Sequence, residues 1–225
     1  MRSKILKEKK RIVPKYMWVP IILALLCNSL AYFGTRIFTT DRYHYVLSSR
    51  LDDMIPVVPY FIIIYWGCYL YWGINYVIGC RQEKDEAYNF ISADFFAKII
   101  CMIIFMVFPT TNVRPVIEGG TFWNDAMLGL YGMDAADNLF PSIHCLTSWF
   151  CFIAVRKNNA VPKAYKVISF IIAVLVFIST LTTKQHVIVD VVGGVALAEF
   201  SYWFVRISGF TRIYRRILER REYVQ

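Results

Sequence analysis

The chain has 225 residues, 57% of them hydrophobic and 17% aromatic, and a formal net charge of +9. That apolar content is too high for an ordinary soluble domain and predicts one integral membrane unit over residues 1–225. The charge does not imply nucleic acid, because the basic residues gather at the termini and in short loops, not in a stripe with interleaved aromatics.

The first predicted element is a basic tail over residues 1–16, followed by an apolar run from Met17 to Ile37. This run is long for a signal peptide and has no A-x-A cleavage site, so it reads as a first span. A polar loop with Asp41, Arg42, His44, Asp52 and Asp53 follows, in which His44 reads as a solvated residue. The second span is expected over Ile55–Cys80 and the third over Ser92–Phe108. Asp94 and Lys98, four apart, read as a local pair with a snorkelling lysine. Residues 109–140 form the longest polar connection, with Arg114, Glu118, Asp125, Asp134 and Asp137, a turn at Gly119–Gly120 and a short interfacial helix over Phe122–Tyr131. A loop of this length suits a lid or a substrate entrance.

A fourth, short span is expected over Ser142–Val155, then a basic loop Arg156–Lys166, a fifth span Val167–Leu181 and a sixth Val187–Ile207. Residues 209–225 make a second basic tail. Glu199, midway along the sixth span, reads as structural, either paired with Lys98 or Arg206 or protonated between helices. The fold class is all-α: a polytopic membrane protein, a bundle of six transmembrane helices. The two tails and the Arg81 and Arg156 loops carry most of the 25 Lys and Arg, which makes both termini cytoplasmic and residues 109–140 extracytoplasmic. The small size suits a plasma membrane. The six cysteines, Cys27, Cys68, Cys80, Cys101, Cys145 and Cys151, lie in or beside apolar segments without a CxxC pair. They read as small packing groups, not as disulfides or thiolate ligands.

Chemistry concentrates in two stretches. His186 and Asp190 are four apart where the sixth span begins, so on a helix they share a face. There the carboxylate can hold the imidazole in one tautomer, as a nucleophile or base requires, although the same spacing would serve two metal ligands. The second stretch is PSIH, Pro141–His144, at the start of the fourth span. About two spans' worth of residues, at ~20 each, separate the histidines, so both face the same, extracytoplasmic side. Arg114 precedes a proline on that side, and Lys184 lies two residues before His186. Two histidines, one backed by a carboxylate, with cationic groups and a helix start nearby, form an anion site suited to phosphoryl transfer.

With PSIH, HxxxD and an upstream RP in this order, the sequence resembles the type-2 phosphatidic acid phosphatase superfamily over about Lys98 to Trp203. The resemblance implies that His186 attacks phosphorus, Asp190 orients it, His144 protonates the leaving oxygen, and Arg114 and Ser142 hold the phosphate, with no metal or other cofactor. The implied partners are a lipid phosphate and the surrounding membrane lipids. Two family positions differ. The lysine expected seven residues before Arg114 is Val107, and the arginine expected after Ser179 is Thr180, although Ser179 itself is present. Lys184 is the candidate for the missing charge. These departures bring the chain closer to the branch of inositol phosphorylceramide synthase and sphingomyelin synthase.

The expected function is hydrolysis of a lipid phosphate monoester or pyrophosphate at the outer membrane face through a phosphohistidine. The alternatives are a phosphotransferase moving a phospho-headgroup between lipids and a non-catalytic lipid-binding or transport protein. Plainer readings stand beside the site residues: ordinary interfacial histidines, a metal site of His144, His186 and Asp190, a simple N-cap at Ser142, and an Arg114–Glu118 pair.

Overall fold

A computed structural model describes residues 11–219. Residues 1–10 of the first basic tail and residues 220–225 of the second lie outside that range. The chain is mostly helical, and five helical runs are long and apolar enough to cross a membrane. They are Lys15–Thr39 (α1), Pro59–Cys80 (α3), Lys84–Val107 (α4), Lys163–Thr182 (α7) and Ile188–Ser208 (α8). Shorter helices occupy Arg50–Met54 (α2), Phe122–Met133 (α5), Ile143–Arg156 (α6) and Phe210–Glu219 (α9).

The fourth expected span is α6, and at 14 residues it falls short of the others and is not among the five. Its length of roughly 21 Å at 1.5 Å per residue is below the ~30 Å of a hydrocarbon core. Nearly all of it is buried, packed against α3, α7 and α8, so its neighbours supply the apolar surroundings that the other spans take partly from outside. The third span begins at Lys84, not Ser92, because Ala87, Tyr88, Phe90 and Ile91 already face the core. Between Leu30 and Gly34, α1 widens into a π turn. The strand content among the described residues is one two-residue parallel pair, β1 (Tyr45–Val46) on β2 (Thr110–Thr111), which ties the loop after α1 to the loop after α4.

Local chemistry sets the helix ends. Asp85 and Glu86 in the first turn of α4 complement its dipole, and Pro109 follows its last turn. Ser142 caps α6 by accepting from the Cys145 N–H at 3.3 Å, and Thr121 caps α5 through the Asn124 N–H at 3.2 Å. Gly209, at φ 74°, ends α8 in the left-handed conformation that glycine adopts without strain. The helices alternate in direction, so the ends of α1, α4 and α7 and the starts of α3, α6 and α8 meet at one end of the bundle.

Two interior charges depart from the expectations. Lys98 does not snorkel: it is 4% exposed, and its Nζ lies 2.9 Å from Asp94 Oδ2, which removes the need for it to reach water. Glu199 pairs with neither Lys98 nor Arg206. It takes the Arg156 guanidinium through both Nη atoms, with Nη2 at 2.9 Å, and the Trp149 indole N–H at 2.6 Å. Arg156 ends α6, where it meets α8 at Glu199, seven residues before Arg206, and Arg206 is engaged by Glu86 at 2.6 Å. All six cysteines are free and buried.

Candidate active site

The site begins at the turn between α7 and α8. Thr180 O accepts from the N–H groups of Gln185 (2.9 Å) and His186 (3.1 Å), and Lys184, just before them, takes φ 53°. This closes the end of α7 and starts α8 within a few residues. Asp190 Oδ2 then accepts from the Val187 N–H at 3.0 Å and meets His186 Nδ1 at 3.3 Å. A proton on Nδ1 aimed at the carboxylate leaves the Nε2 lone pair free to act as nucleophile. A second acid, Asp52 of α2, serves the same helix start from 136 residues away, accepting the Ile188 N–H at 2.7 Å. Burial raises the Asp52 pKa, but hydrogen bonds from Ser49 and Ile188 and the charge of Lys184 outweigh it, so the carboxyl titrates below its usual range.

Glycine brings the two histidine helices together. A Cβ on Gly194 would lie 2.5 Å from Ser142 O, and one on Gly193 would lie 2.5 Å from the Phe140 ring. With hydrogens only at these positions, α8 lies against the start of α6, and the Ser142 N–H donates to Asp190 O at 3.0 Å. The imidazoles of His144 and His186 consequently stand 5.9 Å apart, centroid to centroid. Tyr65 stacks on His144 at 4.7 Å, and Trp72 lies 5.4 Å away. Among the described residues His144 Nε2 is buried without a hydrogen-bond partner, as are Arg114 Nε, Gln185 Nε2 and Asp190 Oδ1.

Arg114 does not pair with Glu118. Its Nη1 donates to the backbone carbonyl of Asp134, its Nη2 to Gln185 Oε1 at 2.7 Å, and its guanidinium covers the Tyr131 ring at 4.7 Å. Burial lowers its pKa, yet an arginine stays charged at any ordinary pH. Lys184 likewise rests on a neutral group, its Nζ donating to the Asp52 backbone carbonyl at 2.8 Å. The two cations beside His186 are hydrogen-bonded to carbonyl oxygens, while the Asp52 carboxylate acts through space on Lys184 and the Asp137 carboxylate on Arg114.

The structure brings Arg114 and Lys184 to the turn that carries His186, and Ser142 to the backbone of Asp190. Ser179 is turned away. It is fully buried and donates its hydroxyl to Val176 O at 2.7 Å, so its position is explained by the closing turn of α7. Val107, where the resemblance expects a lysine, is 70% exposed on the outside of the bundle and leaves the site no cation there.

Two contributors have no signature in the sequence. Gln185 receives Arg114 directly. Asp134 lines a narrow cleft with His144, Gln185 and His186, and it takes the hydroxyls of Tyr32 and of Tyr65 (3.0 Å) with Arg36 Nη2 at 3.6 Å. Burial pushes its pKa up to about 6, helped by Asp137 and opposed by His186. Asp134 stands in the sequence as one loop acid among four, and its partners come from α1 and α3. Among the described residues no three His, Cys, Asp or Glu side chains converge as ligands for a metal ion.

A bundle with five helices long and apolar enough to cross a membrane, and with His144, His186, Asp190, Arg114 and Lys184 gathered at one end, defines a class of helical proteins compatible with integral membrane residence. The chain belongs to the PAP2 superfamily, whose family model matches residues 47–204, a stretch holding Arg114, His144, Lys184, His186 and Asp190. Membership places it with phosphatases and phosphotransferases. No curated protein and no solved structure matches the chain.

Proposed function

We propose that this protein transfers a phosphorus group from a lipid through a phosphohistidine on His186. The observation that carries the reading is the meeting of His186, oriented by Asp190, with His144 at 5.9 Å beside an arginine hydrogen-bonded to the Asp134 backbone carbonyl and the Gln185 amide. In the first step His186 Nε2 attacks phosphorus and the P–O bond to the lipid breaks. His144 supplies the proton to the departing oxygen. In the second step the oxygen of water attacks phosphorus, its proton passes to His144, the P–N bond breaks and phosphate leaves. Arg114, Lys184 and the start of α6 at Ser142 hold the non-bridging oxygens.

The first reading is hydrolysis of a lipid phosphate monoester or pyrophosphate at the extracytoplasmic face. The basic residues support that orientation, since Arg81, Lys84, Arg156, Lys157, Lys163 and Lys166 all lie at the bundle end remote from His186. The second reading, transfer of a phospho-headgroup between lipids as in the inositol phosphorylceramide synthase and sphingomyelin synthase branch, is favoured by Val107 and Thr180, which thin the cationic set that a phosphate dianion requires.

Purified protein given radiolabelled lipid phosphate should form an acid-labile, base-stable phosphoprotein and release inorganic phosphate. His186→Asn should do neither. Turnover by that variant at the wild-type rate would rule out the mechanism. Labelling of Asp53→Cys with an impermeant thiol reagent in right-side-out vesicles checks the orientation.

A further inference from the structure

The cleft that His144 and His186 both border is nearly full. Its free volume is about 10 Å³, room for roughly one water, whereas a phosphate with its non-bridging oxygens is several times larger. One of its walls is the Asp134 side chain, a negative group standing where the nucleophile needs an anion to arrive. His186 acts on that carboxylate through space, as it would on a phosphate.

The groups around the carboxylate are those that suit an oxyanion. Tyr32 and Tyr65 donate their hydroxyls to Oδ1 and Oδ2, the second at 3.0 Å, and Arg36 Nη2 lies 3.6 Å from Oδ1. Arg36 is only partly engaged: its Nε donates to Asp137 at 2.6 Å, while Nη2 is buried without a hydrogen-bond partner among the described residues. Gln185, 1% exposed, lines the same cleft with its Nε2 equally unpartnered, and so is Nε of Arg114, whose Nη2 meets the Gln185 amide. Buried N–H donors without acceptors are costly, and those gathered here call for more oxygens than one carboxylate brings. The Asp134 backbone is anchored separately. Its N–H donates to Leu130 O at 2.9 Å and its carbonyl accepts from Arg114 Nη1, so a change of side-chain rotamer withdraws the carboxylate without moving the loop.

We propose that Asp134 is a placeholder for the substrate: its carboxylate occupies the phosphate position, and when a lipid phosphate displaces it, Tyr32, Tyr65 and Arg36 Nη2 become phosphate ligands beside Arg114 and Lys184. The placeholder builds on the phosphohistidine reading and adds to it a donor set from α1 and α3. Val107 and Thr180 bring the site no cation, and Arg36, outside the residues matched by the family, provides one from another helix. A purely structural role for Asp134 has the opposite signs. If Asp134 only fastened α1 to the rim, its loss would loosen the site and weaken phosphate binding, and Arg36 and Tyr32 would then have no further part in it. As a placeholder it competes with phosphate, so its loss strengthens binding and leaves Arg36 and Tyr32 to hold the phosphate.

The test uses the purified full-length chain in lipid nanodiscs with inorganic phosphate as the probe. Binding is read as the inhibition constant of phosphate against a lipid phosphate substrate and as the rise in melting temperature that phosphate produces. In Asp134→Ala the inhibition constant should fall ~10-fold, and in Asp134→Asn, which keeps the shape, it should move in the same direction. Adding Arg36→Gln to Asp134→Ala should raise it ~10-fold or more, and adding Tyr32→Phe ~3-fold or more. Melting temperatures without phosphate identify any variant that has lost its fold, and Asp134→Asn then serves as the background. If the constant rises or stays the same in both Asp134 variants, or if neither Arg36→Gln nor Tyr32→Phe changes it in that background, the placeholder is refuted, and an acid-labile phosphoprotein formed by the wild type leaves the phosphohistidine reading in place. If phosphate binding follows the expected pattern while the wild type forms no phosphoprotein, the placeholder stands and His186 is not the nucleophile. If neither phosphoprotein nor phosphate binding is seen, both fail together.

Discussion

At the end of the bundle remote from His186, cations meet carboxylates. Glu199 holds Arg156, Glu86 holds Arg206 at 2.6 Å, Asp85 holds Arg215 at 2.6 Å and Glu219 holds Lys84 at 2.7 Å. At the histidine end, Arg114 and Lys184 rest on carbonyl oxygens, and the carboxylates that remain near them serve other work: Asp190 orients His186, Asp52 caps α8, and Asp134 answers to two tyrosines and Arg36. The difference shows how to separate structural charge from functional charge in a chain with 25 Lys and Arg. A cation neutralised on the spot has finished its task, whereas one positioned by dipoles keeps its field for a ligand.

The comparison can be broken most severely at the nucleophile. His186→Asn should lower turnover by on the order of 10⁴-fold or more with little change in thermal stability, read by phosphate release and melting temperature. The next effect is geometric. Gly194→Val drives carbon into Ser142 O and separates the two histidine helices, so activity should fall on the order of 10²-fold or more and stability by about 1–3 kcal/mol. Gly129→Ala, where a Cβ meets nothing within 4 Å, is the matched control and should change neither.

Arg114→Ala should then weaken the enzyme by roughly 10–100-fold, mostly in KM, whereas loss of a neutralised cation at the other end should leave KM alone. Comparing the kinetics of Arg114→Ala with those of Arg206→Ala measures that contrast directly. Asp134 supplies a pH test. Its folded-state pKa, about 6, lies above the ordinary carboxyl value, so between ~4 and ~6 the native state holds the proton more tightly than the unfolded chain. Stability should therefore fall as pH rises through that window, and the same charging near His186 should disfavour an anionic substrate. In Asp134→Asn both slopes should flatten, as seen in melting curves and pH–rate profiles. The smallest effect is expected at Glu199→Gln, with a stability loss of about 1 kcal/mol or less and unchanged turnover, because this pair lies far from the chemistry and is partly exposed.

Much of the site was legible because its grammar is local. His186 and Asp190 lie one helical turn apart, Ser142 stands where a cap belongs, and each apolar run announces its own helix to within a few residues. The exception is the start of α4, where Lys84–Ile91 reads as polar along the chain yet turns a buried face to the core. What the sequence withholds depends on distance. Asp52 reaches α8 across 136 residues, Tyr32 meets Asp134 across 102, and Arg156 finds Glu199 across 43. No periodicity records such meetings. Lys98 misled for a related reason, since whether a lysine snorkels depends on whether a carboxylate shares its interior position.

The fastening of Asp134 has one more implication. Tyr32 and Arg36, two of the groups that grip it, belong to α1, which lies outside the residues matched by the family. His144 and His186 lie within the family match, but the Asp134 rim beside them is tethered to a helix that lies outside it. Replacing that helix would re-anchor the canopy over the two imidazoles without touching either ring.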